Sequence, residues 1–287
     1  MFDMLLVRAR AMPTWKLTLE YDGTRYHGWQ EQKNARAIAG ELRSAAGGFF
    51  DGPVEVGGAG RTDGGVHALA QVAHLKGRRR VTASELLRGI NDRLPPDINL
   101  IRVEEAPHRF DARHSAVARY YLYQISTRRS AFAKRFVWWV KDPLDLGAMT
   151  EAAQLLPGMH DFSAFCDKRI EEERSSLVLV HSAELARHGD LILFRIGASH
   201  FLWKMVRRIT GMLVEIGRGT ASPKDFGAAL QPGYSKKGQG LRDTPSGTPK
   251  KLDIAAKTAP ASGLFLELVS YSAAELPGKL EPALSRR

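Results

Sequence analysis

Trp15-Lys16-Leu17-Thr18-Leu19-Glu20-Tyr21 is the stretch whose reading decides the fold. A large apolar residue stands at every second position. That period of two puts Trp15, Leu17, Leu19 and Tyr21 on one face of a half-buried strand. Asp22-Gly23-Thr24 then turns the chain. Beyond it Ala35, Ile38, Leu42, Ala45 and Phe49 recur at helical spacing, so a helix follows the strand. Val54 to Ala59 and Val66 to Leu75 read as further strands. Ser84 is placed to cap a helix carrying Leu86, Leu87, Ile90 and Leu94, which Pro95-Pro96 stops. Ile98 to Glu104 closes this group as another strand. Strands with helices between them predict an α+β sheet covered on one face.

The same order of elements then begins again. Ala118 to Ser126 is a strand with alternating Tyr121, Tyr123 and Ile125, and Leu146, Met149, Ala153 and Leu156 suit a helix. Ser175 to Leu185 and Leu191 to Ile196 read as an antiparallel pair joined at His188-Gly189-Asp190. His200 to Gly217 is a long helix, and Gly263 to Tyr271 a last alternating strand. The expected organisation is an N-terminal tail (1–13), a first α+β half (14–112), a second (113–273) and a loose C-terminal tail (274–287). Gln231 to Lys251, rich in Gly, Pro, Ser and Lys, reads as a flexible basic loop. Met12 competes with Met1 as the start, because organised patterning begins only at Trp15.

The chain has 287 residues, 44% of them hydrophobic, enough for a sizeable core. Its 42 Lys and Arg outnumber 31 Asp and Glu, a formal net charge of +11 that points to a polyanionic partner. Cys166 is the only cysteine, which excludes an intrachain disulfide and a cysteine zinc cluster. No stretch has the apolar length of a membrane span, and Met4 to Val7 is too short for a signal peptide core. The expectation is a cytoplasmic protein. His67 and His74 have no third ligand at a recognisable spacing, and no dinucleotide or phosphate-loop motif occurs, so neither metal nor cofactor is expected.

The chemistry concentrates in Ala59-Gly60-Arg61-Thr62-Asp63-Gly64-Gly65-Val66-His67-Ala68. Glycines let a ligand approach the main chain, and an Asp held among them with an Arg two residues away reads as a presented nucleophile or base. Spacing alone leaves open a surface turn in which Asp63 caps its own backbone, the commoner use of Asp-Gly.

Residues Gly60 to Ala68 resemble the catalytic motif of the tRNA pseudouridine synthase A family, usually Gly-Arg-Thr-Asp-Ala-Gly-Val-His-Ala, with Gly64 in place of Ala. Four more segments are similar to that family in the same order: Tyr21 to Gln30, Ala118 to Tyr123, Phe201 to Arg208 and Ala261 to Leu266. His160 to Phe165 resembles a further one. Ile38-Ala39 stands where Val-Gln is usual, and Ala70 where Gly is common. The resemblance runs from about Trp15 to Tyr271.

What it implies is an isomerase that converts uridine to pseudouridine at positions 38 to 40 of the tRNA anticodon arm, without a cofactor. It implies two ferredoxin-like halves forming a continuous antiparallel sheet with a central catalytic cleft, and a homodimer. Asp63 becomes the catalytic residue, by attack on C1′ or by removal of the 2′ proton. Tyr121 stacks on the base and helps remove the C5 proton. Arg207 pairs with Asp63, and Leu264 packs on the uracil. Arg61, Thr62, Arg25 and His67 complete the expected substrate contacts. Two rivals from other classes are a non-catalytic RNA-binding module and a metal-dependent nuclease.

Overall fold

The computed structural model describes residues 12–167, 175–234 and 253–285. The N-terminal tail up to residue 11 and most of the expected basic loop (235–251) lie outside the described residues. The first strand, β1 (Thr14–Tyr21), buries Trp15, Leu17, Leu19 and Tyr21 as its alternation demands. Helix α1 (Ile38–Gly47) follows, then β2 (Glu55–Gly58), β3 (His67–Lys76), α2 (Ala83–Asn91) and β4 (Ile98–Ala106). Thr82, not Ser84, caps α2: it and Glu85 exchange side-chain and backbone bonds in a capping box.

The second group runs β5 (Ala118–Ser126), β6 (Trp138–Trp139), α3 (Leu146–Ala153), β7 (Gly158–Asp161), β8 (Leu177–His188) and β9 (Leu191–Ala198). Helices α4 (Met205–Gly217) and α5 (Pro223–Ala229) and strand β10 (Leu264–Ser270) complete it. Gly189 makes the β8–β9 turn with φ +58°.

Among the described residues all ten strands join one sheet in the order β4-β1-β3-β10-β5-β9-β8-β7, with β2 beside β3 and β6 beside β5. This corrects the expected continuous antiparallel sheet. The sheet is mixed: β10 runs parallel to β3, with Phe265 opposite His67 and Leu266 opposite Ala68, and antiparallel to β5. Alternation fixes which face a residue occupies but not the direction in which two strands pair. The consequence is spatial. The start of β3, the start of β10 and the end of β5 all lie at one end of the sheet.

Strand β5 is buried along its whole length. Tyr121, Tyr123 and Ile125 join the main core with α4, while Leu122 joins Leu193 and Phe265 on the opposite face. That second face is covered in part by the C-terminal segment, which is not loose. Ala283 is buried there and its N–H donates to Gln124, and Arg195 donates to the Lys279 carbonyl. Among the described residues no helix is long and apolar enough to cross a membrane.

Candidate active site

The Asp63 loop lies between β2 and β3 and is seated on the segment after β1. Gly28 and Asp63 form an isolated antiparallel bridge, the Trp29 N–H donates to the Thr62 carbonyl at 3.0 Å, and the Gly65 N–H donates to the Tyr26 carbonyl at 3.2 Å. Gly28 has φ +99°, and a Cβ there would lie 2.4 Å from the Thr62 carbonyl oxygen. Only glycine permits both the conformation and the approach. At Gly64 a Cβ would meet nothing closer than 3.4 Å, so the exchange of the usual Ala for Gly leaves the loop sterically unchanged.

Below the loop, the Thr62 hydroxyl and the Tyr21 hydroxyl share a buried 2.8 Å hydrogen bond. Burial pushes the Tyr21 hydroxyl up to about 12, so its proton stays in place. Gln71 donates to the Gly60 carbonyl at 2.9 Å. Arg119 of β5 clasps the loop from the other side. Its guanidinium donates to the carbonyls of Ala59 (3.0 Å), Arg113 (2.6 Å) and Ser199 (3.0 Å).

Asp63 itself is held by two donors from one segment of the second group. Trp203 Nε1 donates to Oδ1 at 3.0 Å, and Arg207 Nη1 donates to Oδ2 at 3.3 Å. Arg207 stands in the first turn of α4 and is fixed by a 2.7 Å bond from Nε to the Ala259 carbonyl. Trp203 is turned toward Asp63 by a left-handed residue, Lys204 (φ +62°), which precedes the helix. The long helix expected from His200 therefore begins only at Met205. Lys204 is tied in turn to Asp167 at 2.9 Å.

These residues open onto a cleft of roughly 940 Å³. Tyr121 is a nearly buried wall of it, its ring packed edge-on against Phe201 at 5.0 Å. Burial, with Tyr21 and Asp63 nearby, pushes the Tyr121 hydroxyl well above the usual tyrosine range. It is a protonated donor at neutral pH. Leu264, at the start of β10, lies on the same cleft, as does exposed Arg61. Among the described lining residues Asp63 is the single carboxylate, set against Arg61, Arg113, Lys204 and Arg207.

Two expected contacts fall elsewhere. His67 is buried behind the loop: its Nδ1 accepts from the Gly23 N–H, its Nε2 donates to the Arg135 carbonyl, and its ring stacks on Phe265 at 4.8 Å. Both ring nitrogens are used internally and the ring is 1% exposed, so it does not reach a substrate. Arg25 is exposed on the turn after β1, outside the residues lining the cleft. Trp203 and Arg119 were not assigned from sequence. Helical spacing does not mark Trp203, because the left-handed Lys204 stands between it and α4.

The chain is similar to known proteins over most of its length. A family model described as tRNA pseudouridine synthase matches residues 18–115 and 152–272. Proteins named tRNA pseudouridine synthase A from Brucella ovis and Brucella melitensis are each 38% identical over 266 residues, covering 91% of this chain and 99% of theirs. A chain in the crystal structure of a Cbf5-Nop10-Gar1 complex reaches a TM-score of 0.27 at 12% identity, over 69% of this chain and 54% of that one, a likeness too slight to bear on the fold. The chain belongs to the tRNA pseudouridine synthase family.

Proposed function

We propose that the protein isomerises uridine to pseudouridine in the anticodon arm of tRNA, at positions 38 to 40, with Asp63 as the catalytic residue. The observation that carries this reading is the lone cleft carboxylate with a separate donor on each oxygen. In the reaction the C1′–N1 bond breaks, the ring turns, C1′ bonds to C5, the C5 proton leaves and N1 gains a proton. Asp63 starts it either by attack on C1′ or by taking the 2′ proton. Both routes need an ionised and aimed carboxylate, and the Arg207 guanidinium opposes its protonation when a base covers it.

Tyr121 is the stacking platform for the target base, and its hydroxyl hydrogen-bonds the turning ring while it helps the C5 proton leave to water. Leu264 packs on the uracil edge. Arg61 binds the RNA backbone or helps to open the loop, and the cleft cations offset the unstacking of the target nucleotide. Thr62 acts through the loop it fixes. The two chain segments 14–112 and 113–273 read as ferredoxin-like halves with the active site between them. Support comes from a similar order of elements in the two, with β6, β7 and α5 added in the second, and from cleft residues drawn from both. The homodimer rests on family likeness.

The test is to incubate the purified protein with an unmodified tRNA transcript carrying uridine at 38, 39 and 40 and to map pseudouridine by carbodiimide-blocked primer extension. New stops confined to the anticodon arm are expected. Stops elsewhere, or none, overturn the assignment.

A further inference from the structure

Phe132 is 96% exposed, the most exposed large apolar side chain among the described residues. Single surface hydrophobics are ordinary. This one stands in Arg128-Arg129-Ser130-Ala131-Phe132-Ala133-Lys134-Arg135, which carries four cations and no acid.

The segment is also built to hold its shape. The Thr127 N–H donates to the Asp190 carbonyl at 2.9 Å, and Arg128 Nε to the Asp190 carboxylate at 2.6 Å. The Ser130 hydroxyl accepts from the Ala133 N–H at 3.2 Å, and a short 3₁₀ turn follows over Ala133–Arg135. The Arg129 guanidinium lies 5.7 Å from the centre of half-exposed Trp139. An aromatic ring is thus presented to solvent on an anchored loop between cations.

Its place in the fold gives the loop a purpose. It leaves β5 at the end of the sheet where β3 and β10 begin, the end that carries the Asp63 loop. It is joined to that region directly, through the His67 contact to the Arg135 carbonyl at 2.9 Å and the Arg135–Asp22 ion pair at 3.4 Å.

We propose that residues 128–135 form a second RNA contact outside the catalytic cleft. Phe132 stacks on an unpaired nucleotide of the tRNA while Arg129 and Lys134 meet flanking phosphates. The chemistry matches single-stranded RNA, which offers flat bases and phosphates to a ring set among cations. A second copy of this chain would bring the same four positive charges to the contact. The proposal rests on the tRNA reading for its partner.

The test compares wild-type protein, Phe132→Ala, Phe132→Trp and Arg129→Gln. Affinity for an unmodified tRNA transcript is measured by fluorescence anisotropy at several salt concentrations, together with the single-turnover rate at saturating RNA. Phe132→Ala should bind about tenfold more weakly at an unchanged saturated rate, and Phe132→Trp should regain the affinity. Arg129→Gln should lower the salt slope of binding by about one. Affinity of Phe132→Ala within about twofold of wild type overturns the proposal. So does an unchanged affinity accompanied by a lower oligomeric mass on sedimentation, which would make the loop a protein contact. The exposed ring supports no packing, so its loss leaves the fold intact. Binding is read without turnover, so this result is separate from the activity assignment.

Discussion

At the scale of the residue, what matters is how the two oxygens of Asp63 are used. Arg207 supplies charge to one and Trp203 supplies direction to the other. Removing the indole N–H while keeping a ring isolates the second effect. Trp203→Phe should lower kcat about tenfold, the scale of one hydrogen bond to a charged group, with KM for tRNA nearly unchanged. Single-turnover kinetics at saturating tRNA checks this. An undiminished rate means that Trp203 only packs. Asp63 and Arg207 were legible in the sequence because short motifs carry them. Trp203 was not, because an indole beside Leu202 reads as core. What aims it is the left-handed backbone of Lys204, which no hydrophobic period encodes. His67 shows the reverse case. It lies within the motif yet serves the fold, and only its two internal partners reveal that.

At the scale of the element, β10 is the strand that joins the early and late parts of the sheet. It brings Leu264 to the cleft on one face, while on the other Glu267 makes a buried bidentate pair with Arg195 of β9, at 2.9 and 2.7 Å. Glu267→Ala would leave Arg195 charged and short of its partner in the interior. It should cost about 3–5 kcal/mol, read as a lower denaturant midpoint. A midpoint equal to wild type would mean that the pair contributes nothing net. Eight of the ten described strands were legible, but β6 and β7, two and four residues long, are too short to show an alternation. The parallel β3–β10 seam was not, because direction depends on chain connections rather than on side-chain period. The start of α5 is legible in Ser222-Pro223-Lys224-Asp225, which forms a capping box with Pro in the first turn. The C-terminal segment reads as loose because chain ends usually are, yet Ala283 and Leu280 complete the second face of the sheet.

At the scale of the whole molecule, the core carries tyrosine hydroxyls close to the site. Burial raises Tyr21, Tyr121 and Tyr123 above their ordinary value near 10. A raised folded-state value adds stability below the unfolded value and loses it as pH climbs toward the folded one. The thermal midpoint should therefore fall from about pH 10 upward, with tyrosinate absorbance rising together with unfolding. Tyrosinate formation well ahead of unfolding would contradict the burial of these rings. The net charge of +11 is a property of the whole chain readable without structure, and it points to a polyanionic partner. The cleft concentrates that charge around one carboxylate, which makes Asp63→Asn the most direct test of the account. The substitution keeps shape and both neighbours. Uridine conversion by the variant should fall to background in single-turnover assays, while its affinity for tRNA stays within a few-fold of wild type. Pseudouridine formed by Asp63→Asn at the wild-type rate would contradict the central claim.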